Sequence, residues 1–357
     1  MKTAKRPKMS GKKKAAVAAG AVAGVLLIAV LCGWLLMNGY LDKIKYASGN
    51  SGMVSSIAPD TDASAASDSP QSDIDALNKK AEANLKNSST PLMYDEDVFN
   101  VLLIGSDSRT AGGRGRSDSM ILISINRKTS KIVVTSLLRD IYLQIPGISE
   151  GNRLNAANAY GGPSLLLSTI QQNFKIKVDK YIAVDFFSFM DLIDKVGGVT
   201  VNVSAAEMKV ANDYITELNG LKGLDKNDGK LTKAGEQNLT GKQALGYARI
   251  RYVGNGDFGR TDRQRIILEQ VFSKIKSRNL FQLNDLLNTF LPEVTTNLTK
   301  GELSSMVLSL PTYAGYGVDS WHLPAEGTFS YLTVRKMSVL GIDFDKNIAE
   351  LKKKIYG

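Results

Sequence analysis

An uncharged run of 23 residues, Ala15 to Met37, restricts the possible folds and locations of this chain more than any other feature of its sequence. At about 1.5 Å of rise per residue, a helix of this length crosses the roughly 30 Å hydrocarbon core of a bilayer. The run follows a tail, residues 1–14, with seven basic and no acidic side chains. Positively charged flanks stay in the cytoplasm, so we expect a cytoplasmic tail and a single-pass membrane anchor at residues 15–37, with the remainder extracellular. A cleaved signal peptide has a shorter apolar region of about 7 to 15 residues, which favours an uncleaved anchor.

The charge balance changes once the tail is set aside. The formal net charge is +10, and the tail carries seven of those charges. The exterior part is therefore nearly neutral, and its charge does not predict nucleic-acid binding. The single cysteine, Cys32, lies inside the apolar run, so we expect no disulfide in the exterior part.

Two segments follow the anchor. Residues 47–72 are small, polar and acidic, a composition too poor in apolar side chains to fold alone. We predict an extracellular linker over residues 38–94, with a short polar helix near 73–86. Apolar runs and amphipathic stretches then alternate, which predicts one α/β domain over residues 95–357, with a central mixed sheet flanked by helices.

Three apolar runs open this domain and read as strands: 100–104, 120–125 and 131–138. The second and third are joined by the short turn NRKTS, which predicts antiparallel neighbours. If the first and second are also antiparallel, the end of the first, the start of the second and the end of the third share one edge of the sheet.

Four charged residues fall at that edge: Asp107, Arg116, Asp118 and Arg139. Carboxylates close to a phosphate repel it unless a hard cation lies between them, and Mg²⁺ commonly uses one or two protein carboxylates with phosphate oxygens and water. Asp107 and Asp118 are therefore candidate metal ligands, and the arginines are candidate phosphate-binding groups. Loop-capping aspartates and surface arginines are the alternative interpretation.

Residues 248–265 hold five of the fourteen arginines in the chain. Arginine is a planar fork that binds phosphate or carboxylate through two bonds at once. Thr261 and Gln264 form a capping-box pattern, which predicts a helix beginning at Thr261. We expect Arg260 and Arg263 near the helix N-terminus, which favours anions. Arg249 and Arg251 approach from the preceding segment, and Asp257 is expected to orient an arginine or assist a metal.

Seven segments resemble, in the same order, the motifs of the LytR-CpsA-Psr family: NVLLIGSDSR (100–109), GRSDSMILISIN (115–126), SLLRD (136–140), RLNAANAYGG (153–162), VDFFSFMDLIDKVGGV (184–199), LTGKQALGYARIRY (239–252) and GDFGRTDRQR (256–265). The similarity covers about half the chain. The resemblance implies a phosphotransferase of the Gram-positive cell envelope. Such enzymes move an anionic glycopolymer, such as teichoic acid or capsular polysaccharide, from a polyprenyl-pyrophosphate carrier to peptidoglycan through a phosphodiester.

The resemblance also implies roles for individual residues. Asp107 and Asp118 match the family's magnesium ligands, with Mn²⁺ as an alternative ion. The matching pyrophosphate-contacting and catalytic residues are Arg116, Arg139, Arg249, Arg251, Asp257 and Arg260. Arg109, Arg263 and Gln264 are expected to bind substrate. The lipid of such a substrate needs an apolar trough, and the predicted helices at 164–174 and 187–196 are candidates for it. Apolar helix faces more often pack in the core, which is the alternative interpretation.

Three other functions stay open: a non-catalytic protein that binds polyprenyl pyrophosphate, a regulatory protein of the cell envelope, and the same transfer onto a protein acceptor. A serine hydrolase or zinc enzyme is not indicated, because His322 is the only histidine and the chain has no G-x-S-x-G motif. We interpret His322 as a structural residue.

Overall fold

The structure, a computed structural model, describes residues 37–47, 52–58, 60–62, 66–87, 90–107, 115–251, 253–254, 256–276 and 278–357. The predicted anchor, residues 15–37, lies outside these ranges apart from Met37. Within them, none of the helices combines the length and the apolar composition needed to span a bilayer.

Thirteen strands are present in the described part of the chain: β1 (Lys45–Tyr46), β2 (Val98–Ser106), β3 (Ser117–Asn126), β4 (Lys131–Leu137), β5 (Tyr142–Leu143), β6 (Asn152–Arg153), β7 (Lys180–Asp185), β8 (Val199–Val203), β9 (Gly235–Leu239), β10 (Thr295–Thr296), β11 (Gly317–Leu323), β12 (Phe329–Val334) and β13 (Met337–Ile342). Seven of them form a mixed sheet in the order β1-β10-β7-β2-β3-β4-β11. The pairs β5–β6, β8–β9 and β12–β13 form small antiparallel ribbons.

The main helices are α1 (Gln71–Lys86), α2 (Ala156–Phe174), α3 (Phe186–Lys195), α4 (Ala205–Lys222), α5 (Gly241–Ala248), α6 (Gly256–Lys276), α7 (Leu280–Phe290), α8 (Lys300–Tyr313) and α9 (Phe344–Tyr356). A 3₁₀ turn, Leu291–Glu293, follows α7. The predicted mixed α/β architecture is confirmed.

The predicted antiparallel pairing of β3 with β4 is confirmed, and β2 pairs with β3 in the same antiparallel sense. Leu102 of β2 pairs with Leu122 of β3, and Leu122 pairs with Thr135 of β4, both in antiparallel register. The end of β2, the start of β3 and the end of β4 therefore lie at one edge of the sheet. This edge carries the charged residues described below.

The two faces of the sheet have different surroundings. Leu102 and Met120 point to one face, which packs on α2 and α9 through Phe174 and Leu351, all of them buried. Side chains alternate along a strand, so Leu103 and its cavity-facing neighbours in β3 and β7 point to the other face. That face is covered by α3, α5 and α6 but is not filled by their side chains.

Two helix predictions need correction. The helix α6 begins at Gly256, not at Thr261, and the Thr261 hydroxyl donates to the Phe258 carbonyl at 2.8 Å within the helix. Gly254 and Gly256 adopt positive φ angles of 74° and 59°, so the chain turns into the helix earlier than the capping pattern indicated. The helix predicted at 164–174 starts earlier, because α2 continues through a kink at Gly161 and Gly162.

Parts of the predicted linker, residues 38–94, contact the rest of the fold. The strand β1 pairs with β10 at the end of the central sheet. In α1, Ile74 and Leu77 are buried against Val339 and its neighbours in the β12–β13 ribbon. These apolar residues are few, but their helical spacing places them on one side of α1.

Candidate active site

A cavity of about 480 Å³ lies between the sheet and the helices that cover it. Its walls are almost entirely apolar. The sheet contributes Leu103, Ile121, Ile182 and Val184, and the helices contribute Phe186, Phe189, Leu192, Leu245, Ile267, Leu268, Val271, Ile275 and Phe290. Ile267, Val271 and Ile275, spaced four residues apart along α6, therefore line one side of this cavity. A hollow with such walls suits an apolar chain.

One end of the cavity is lined by charged and polar side chains. Ser119, Asp185 and Tyr214 line the cavity and were not predicted, whereas the predicted site residues among its lining are Asp118, Arg139, Arg249, Arg251, Arg260 and Gln264. Asp118 and Arg139 come from the sheet edge, and the other predicted residues come from a segment more than 100 residues later. The structure thus brings together the two sets of residues, and the cavity has an apolar body and a mouth rich in guanidinium groups.

A β-bulge places Asp118 at this mouth. Ser117 pairs with Ser106 and Ser119 pairs with Gly105, so Asp118 is an extra residue in β3. In regular alternation with the cavity-facing Ser119, Asp118 would point to the opposite face. A bulge re-aims one side chain at the end of a strand, and here it turns a carboxylate toward the arginines.

Asp118 and Arg139 form a close ion pair at the mouth. Burial alone would raise the pKa of Asp118, but the guanidinium groups of Arg139 and Arg260 outweigh it and hold this pKa well below its usual value. Asp118 is therefore ionised throughout the physiological range, as a hard-metal ligand must be.

Arg260 lies at the base of the mouth and is 2% exposed. Its Nη2 atom is 2.9 Å from Asp257 Oδ1, whereas its Nε is a buried donor with no hydrogen-bond partner among the described residues. Burial and then the nearby charge of Arg139 lower the pKa of Arg260. Two guanidinium groups thus repel each other beside a cavity, and an anion placed between them would relieve that repulsion.

Burial raises the pKa of Asp257, against the opposing effect of Arg260. The carboxylate also lies near Arg251, with 3.6 Å between Arg251 Nε and Asp257 Oδ1. Asp257 therefore contacts two arginines of the site, Arg251 and Arg260.

Asp140 is a central residue of the site that the sequence did not single out. Its carboxylate pairs with Arg251 Nη2 at 2.7 Å, Arg153 Nε at 3.2 Å and Arg139 Nε at 3.5 Å. Burial would raise the pKa of Asp140, but Arg139 and Arg153 outweigh it and lower it. The only available signal was its position directly after Arg139.

Arg249 stands apart from this network. Its guanidinium carbon lies 4.8 Å from the centre of the Tyr214 ring, and its Nη2 is 3.5 Å from Glu217 Oε2. The side chain is partly exposed at the mouth. Its ion pair with Glu217 is longer than the 2.9 Å pair of Arg260 with Asp257.

Two predicted residues lie next to the mouth and do not line the cavity. The Asp107 amide donates to the Arg116 carbonyl at 3.0 Å, which fixes both residues at the edge between β2 and β3. Arg116 Nε lies 3.3 Å from Asp60 Oδ2. Arg109 falls outside the described residues, so its predicted role stays a prediction.

The two other predicted site residues of α6, Arg263 and Gln264, have different surroundings. Gln264 lines the cavity, and its Nε2 lies 3.4 Å from the Asp118 carbonyl oxygen. Arg263 is directed elsewhere: its Nε donates to Glu207 at 2.9 Å, and its other nitrogens donate to the carbonyls of Ile250 and Val253. Arg263 therefore holds the preceding loop in place and does not line the cavity, although it was expected to bind substrate.

Of the two helices considered as candidates for an apolar trough, only one lines the cavity. Phe186, Phe189 and Leu192 of α3 contribute to its wall. The helix α2 packs on the opposite face of the sheet, where Leu166 and Ile170 are fully buried in the core. Amphipathicity alone does not identify which face of a sheet a helix covers.

His322 has a structural environment, as interpreted from the sequence. Its Nε2 lies 3.0 Å from Asp262 Oδ1 and 3.2 Å from Arg265 Nη2, and the ring meets Phe258 edge-on. Burial, followed by the charge of Arg265, lowers the pKa of His322 below its ordinary value of 6.5.

This lowered pKa predicts a pH dependence of stability. Protonation of His322 favours the unfolded chain, so the free energy of unfolding should fall as pH drops below 6.5 and level off once pH is below the folded-state pKa. Urea unfolding of the wild type and of His322→Asn between about pH 7.5 and about pH 5 measures this effect. Identical pH slopes in the two proteins would contradict it.

Comparisons with known proteins agree with this arrangement. The sequence model of the LytR_cpsA_psr family matches residues 60–353. The chain is 32% identical over 261 residues to biofilm regulatory protein A of Streptococcus mutans, covering 68% of this chain and 60% of that protein. It is 31% identical over 234 residues to the polyisoprenyl-teichoic acid–peptidoglycan teichoic acid transferase TagU of Enterococcus faecalis, covering 64% and 69%. The chain thus spans less than two thirds of the first relative.

Solved structures show the same fold. A structure of TagT bound to LI-WTA superimposes with a TM-score of 0.56 at 27% identity, covering 74% of this chain and 92% of that one. The protein gbs0355 of Streptococcus agalactiae gives a TM-score of 0.57 at 26% identity, covering 72% and 86%. The matched residues include the whole sheet edge and the arginine-rich segment, and the chain belongs to the LytR_cpsA_psr family.

Proposed function

We propose that this protein transfers an anionic glycopolymer, a teichoic acid or a capsular polysaccharide, from a polyprenyl-pyrophosphate carrier to peptidoglycan. The observation that carries this proposal is the combination of an apolar cavity of about 480 Å³ with a mouth lined by four arginines. This shape suits a substrate with an apolar tail and a diphosphate head. Several relatives are named teichoic acid transferases, which supports the same chemistry here.

The arginines suit the charge changes of this reaction. The acceptor hydroxyl on peptidoglycan attacks the polymer-side phosphorus and releases its proton to solvent. A new phosphodiester forms, the bond to the second phosphate breaks, and polyprenyl phosphate departs with the bonding electrons. Phosphoryl transfer depends mainly on positioning and charge neutralisation. Arg139 and Arg260 face the site from two elements, and Arg249 and Arg251 complete the group.

The residues present fit a magnesium ion. Asp118 is strongly ionised, and Asp107 leaves the neighbouring strand at the same edge. No group of three or more candidate ligand side chains occurs in the described ranges, so an ion here would share its coordination with substrate oxygens and water, as Mg²⁺ commonly does. When bound, Mg²⁺ would neutralise phosphate charge, and Mn²⁺ could replace it.

Removal of divalent ions is therefore expected to stop transfer. EDTA should abolish product formation, and added Mg²⁺ or Mn²⁺ should restore it, because Asp118 and Asp107 would otherwise repel the diphosphate. Direct Mn²⁺ binding, followed by electron paramagnetic resonance, should weaken in Asp118→Asn and remain in Arg265→Ala. Turnover that is unaffected by EDTA, together with equal Mn²⁺ binding in the two variants, would contradict this assignment.

The predicted location agrees with such a substrate. We propose a single-pass membrane protein with its N-terminus in the cytoplasm and its catalytic domain outside the cell. This places the cavity on the side of the membrane where lipid-linked polymer and peptidoglycan meet. The near-neutral charge of the exterior part gives no support to a nucleic-acid partner.

The decisive experiment supplies the full chain, in detergent, with defined polyprenyl-pyrophosphate-linked donors, peptidoglycan oligomers and Mg²⁺. Mass spectrometry then detects the phosphodiester product. Product formation supports the proposal. Donor binding without turnover would favour a binding or regulatory protein, and transfer only to added envelope proteins would favour a protein acceptor.

A further inference from the structure

Residues 60–62 precede the predicted α/β domain, residues 95–357. Among them, Asp62 contacts two arginines, Arg251 and Arg153. Its Oδ1 lies 3.3 Å from Arg251 Nη1, and its Oδ2 pairs closely with Arg153 Nη2. The same Oδ2 accepts a hydrogen bond of 2.9 Å from the Ser338 amide in β13. The amide of Asp62 also donates to the Lys336 carbonyl at 2.9 Å, so backbone and side chain are both held.

Asp60 strengthens this attachment. Its Oδ2 lies 3.0 Å from Arg153 Nη1 and 3.3 Å from Arg116 Nε. The two aspartates thus connect Arg251, Arg153 and Arg116. They lie in a stretch predicted from composition to be a linker.

Arg153 holds residues 60–62 in place through ion pairs with Asp60 and Asp62. Its side chain is 0% exposed, and its charge is balanced by Asp60, Asp62 and Asp140. Withdrawal of residues 60–62 would leave Asp140 as its sole acidic partner among the described residues, and a buried charge without adequate partners is strongly unfavourable. Burial would raise the pKa of Asp62, but Arg153 and the Ser338 amide outweigh it, so Asp62 stays charged.

Arg251 is held from two sides as a result. Asp140 binds its Nη2 and Asp62 lies near its Nη1, which leaves the guanidinium plane little freedom while its side chain remains 15% exposed at the mouth. Because the guanidinium group is already held in one orientation, it loses little conformational entropy when it binds phosphate oxygens.

We propose that Asp62 is a positioning residue that fixes Arg251 for the diphosphate of the substrate, so that the segment before the domain completes the active site. This inference rests on the proposed function and adds a residue to it. Asp62 acts through Arg251 and Arg153 and does not itself contact substrate.

Asp62→Asn tests the proposal because it keeps the shape and removes the charge. One carboxylate oxygen becomes an NH₂ group, which then faces a donor of Arg251, Arg153 or Ser338. We expect kcat to fall about 100-fold per folded molecule, since small displacements of a positioning group have effects of that size. Asp62→Glu keeps the charge and should recover most of the loss. Circular dichroism gives the folded fraction of each variant.

Asp68→Asn is the matched control. Asp68 accepts a hydrogen bond of 2.7 Å from the Lys336 amide in the same turn, and it is exposed, with no guanidinium partner among the described residues. Its activity should equal that of the wild type. Unchanged kcat in Asp62→Asn would overturn the proposal. Faster turnover would overturn it as well, since it would identify Asp62 as an inhibitory contact.

Binding of farnesyl diphosphate separates this inference from the proposed function. Calorimetry should show weaker binding by Asp62→Asn and unchanged binding by Asp68→Asn, whether or not wild-type protein transfers polymer. If the wild type binds the diphosphate but makes no product, the proposed function is wrong. The difference in affinity between the wild type and Asp62→Asn then still tests the positioning role of Asp62. Equal binding by all three proteins, or no binding by wild type, would refute the positioning role.

Discussion

Transfer by the Arg260→Ala variant is expected to be about 1,000-fold slower than transfer by the wild type, because loss of one preorganised cationic donor at a phosphoryl group has effects of this order. Arg260 is 2% exposed, lines the cavity mouth and is aligned by Asp257. Its Nε is a buried donor without a hydrogen-bond partner in the described part of the chain. Initial rates with a lipid-linked donor measure the effect.

The same substitution leaves the buried Asp257 carboxylate without its closest partner. Breaking such a pair costs about 3 to 5 kcal/mol, whereas removing both members costs much less. We therefore expect Arg260→Ala to lower the melting temperature, and the double variant with Asp257→Ala to recover stability but not transfer.

Arg265→Ala is the control on the same helix, since Arg265 pairs with Asp262 and does not line the cavity. It should retain transfer. Recovery of transfer in the double variant would show that the loss reflects instability alone, contrary to a role for Arg260 in the reaction.

Leu268→Trp is expected to block the apolar part of the cavity. Leu268 lines the wall and is partly exposed to the interior space. Burial of each CH₂ contributes about 0.8 kcal/mol, so exclusion of one five-carbon isoprenyl unit should weaken binding of a prenyl diphosphate about 100-fold or more. Calorimetry with farnesyl diphosphate measures this loss.

Binding of inorganic pyrophosphate distinguishes effects on the apolar cavity from effects on the arginine-lined mouth. It lacks a tail, so its affinity should be the same for Leu268→Trp and wild type. Val318→Trp is the surface control, because Val318 is 68% exposed on β11. An equal loss of affinity for both ligands would mean that the substitution disturbs the mouth, and no loss for either would mean that the prenyl tail binds elsewhere.

Part of the sheet edge that carries the candidate site could be predicted from the sequence alone. The short turn NRKTS predicted that β3 and β4 are antiparallel neighbours, and this places Asp118 at the start of β3 beside Arg139 at the end of β4. Arg249 and Arg260 lie at the same edge, although they follow Asp118 and Arg139 by more than 100 residues. Local sequence patterns do not predict contacts between such distant segments. The ordered motifs of the family resemblance supplied that part.

Three features were beyond the sequence for physical reasons. The bulge that turns Asp118 toward the cavity depends on pairing with β2, since a single strand shows no register. The start of α6 was misplaced because Thr261 is an internal residue whose hydroxyl bonds backward along the helix. Asp62 and Asp140 act through partners distant in the sequence, and acidic residues in a polar segment resemble solvated ones.

The carboxylate of Asp140 is shared by Arg139, Arg153 and Arg251. Substitutions at these four positions are therefore coupled, and the effects of single changes will not sum to those of combined changes. A natural variant that alters one of them should carry a compensating change at another. The network should consequently diverge among relatives as a set, so that grafting one arginine from a related enzyme costs more than exchanging the whole group.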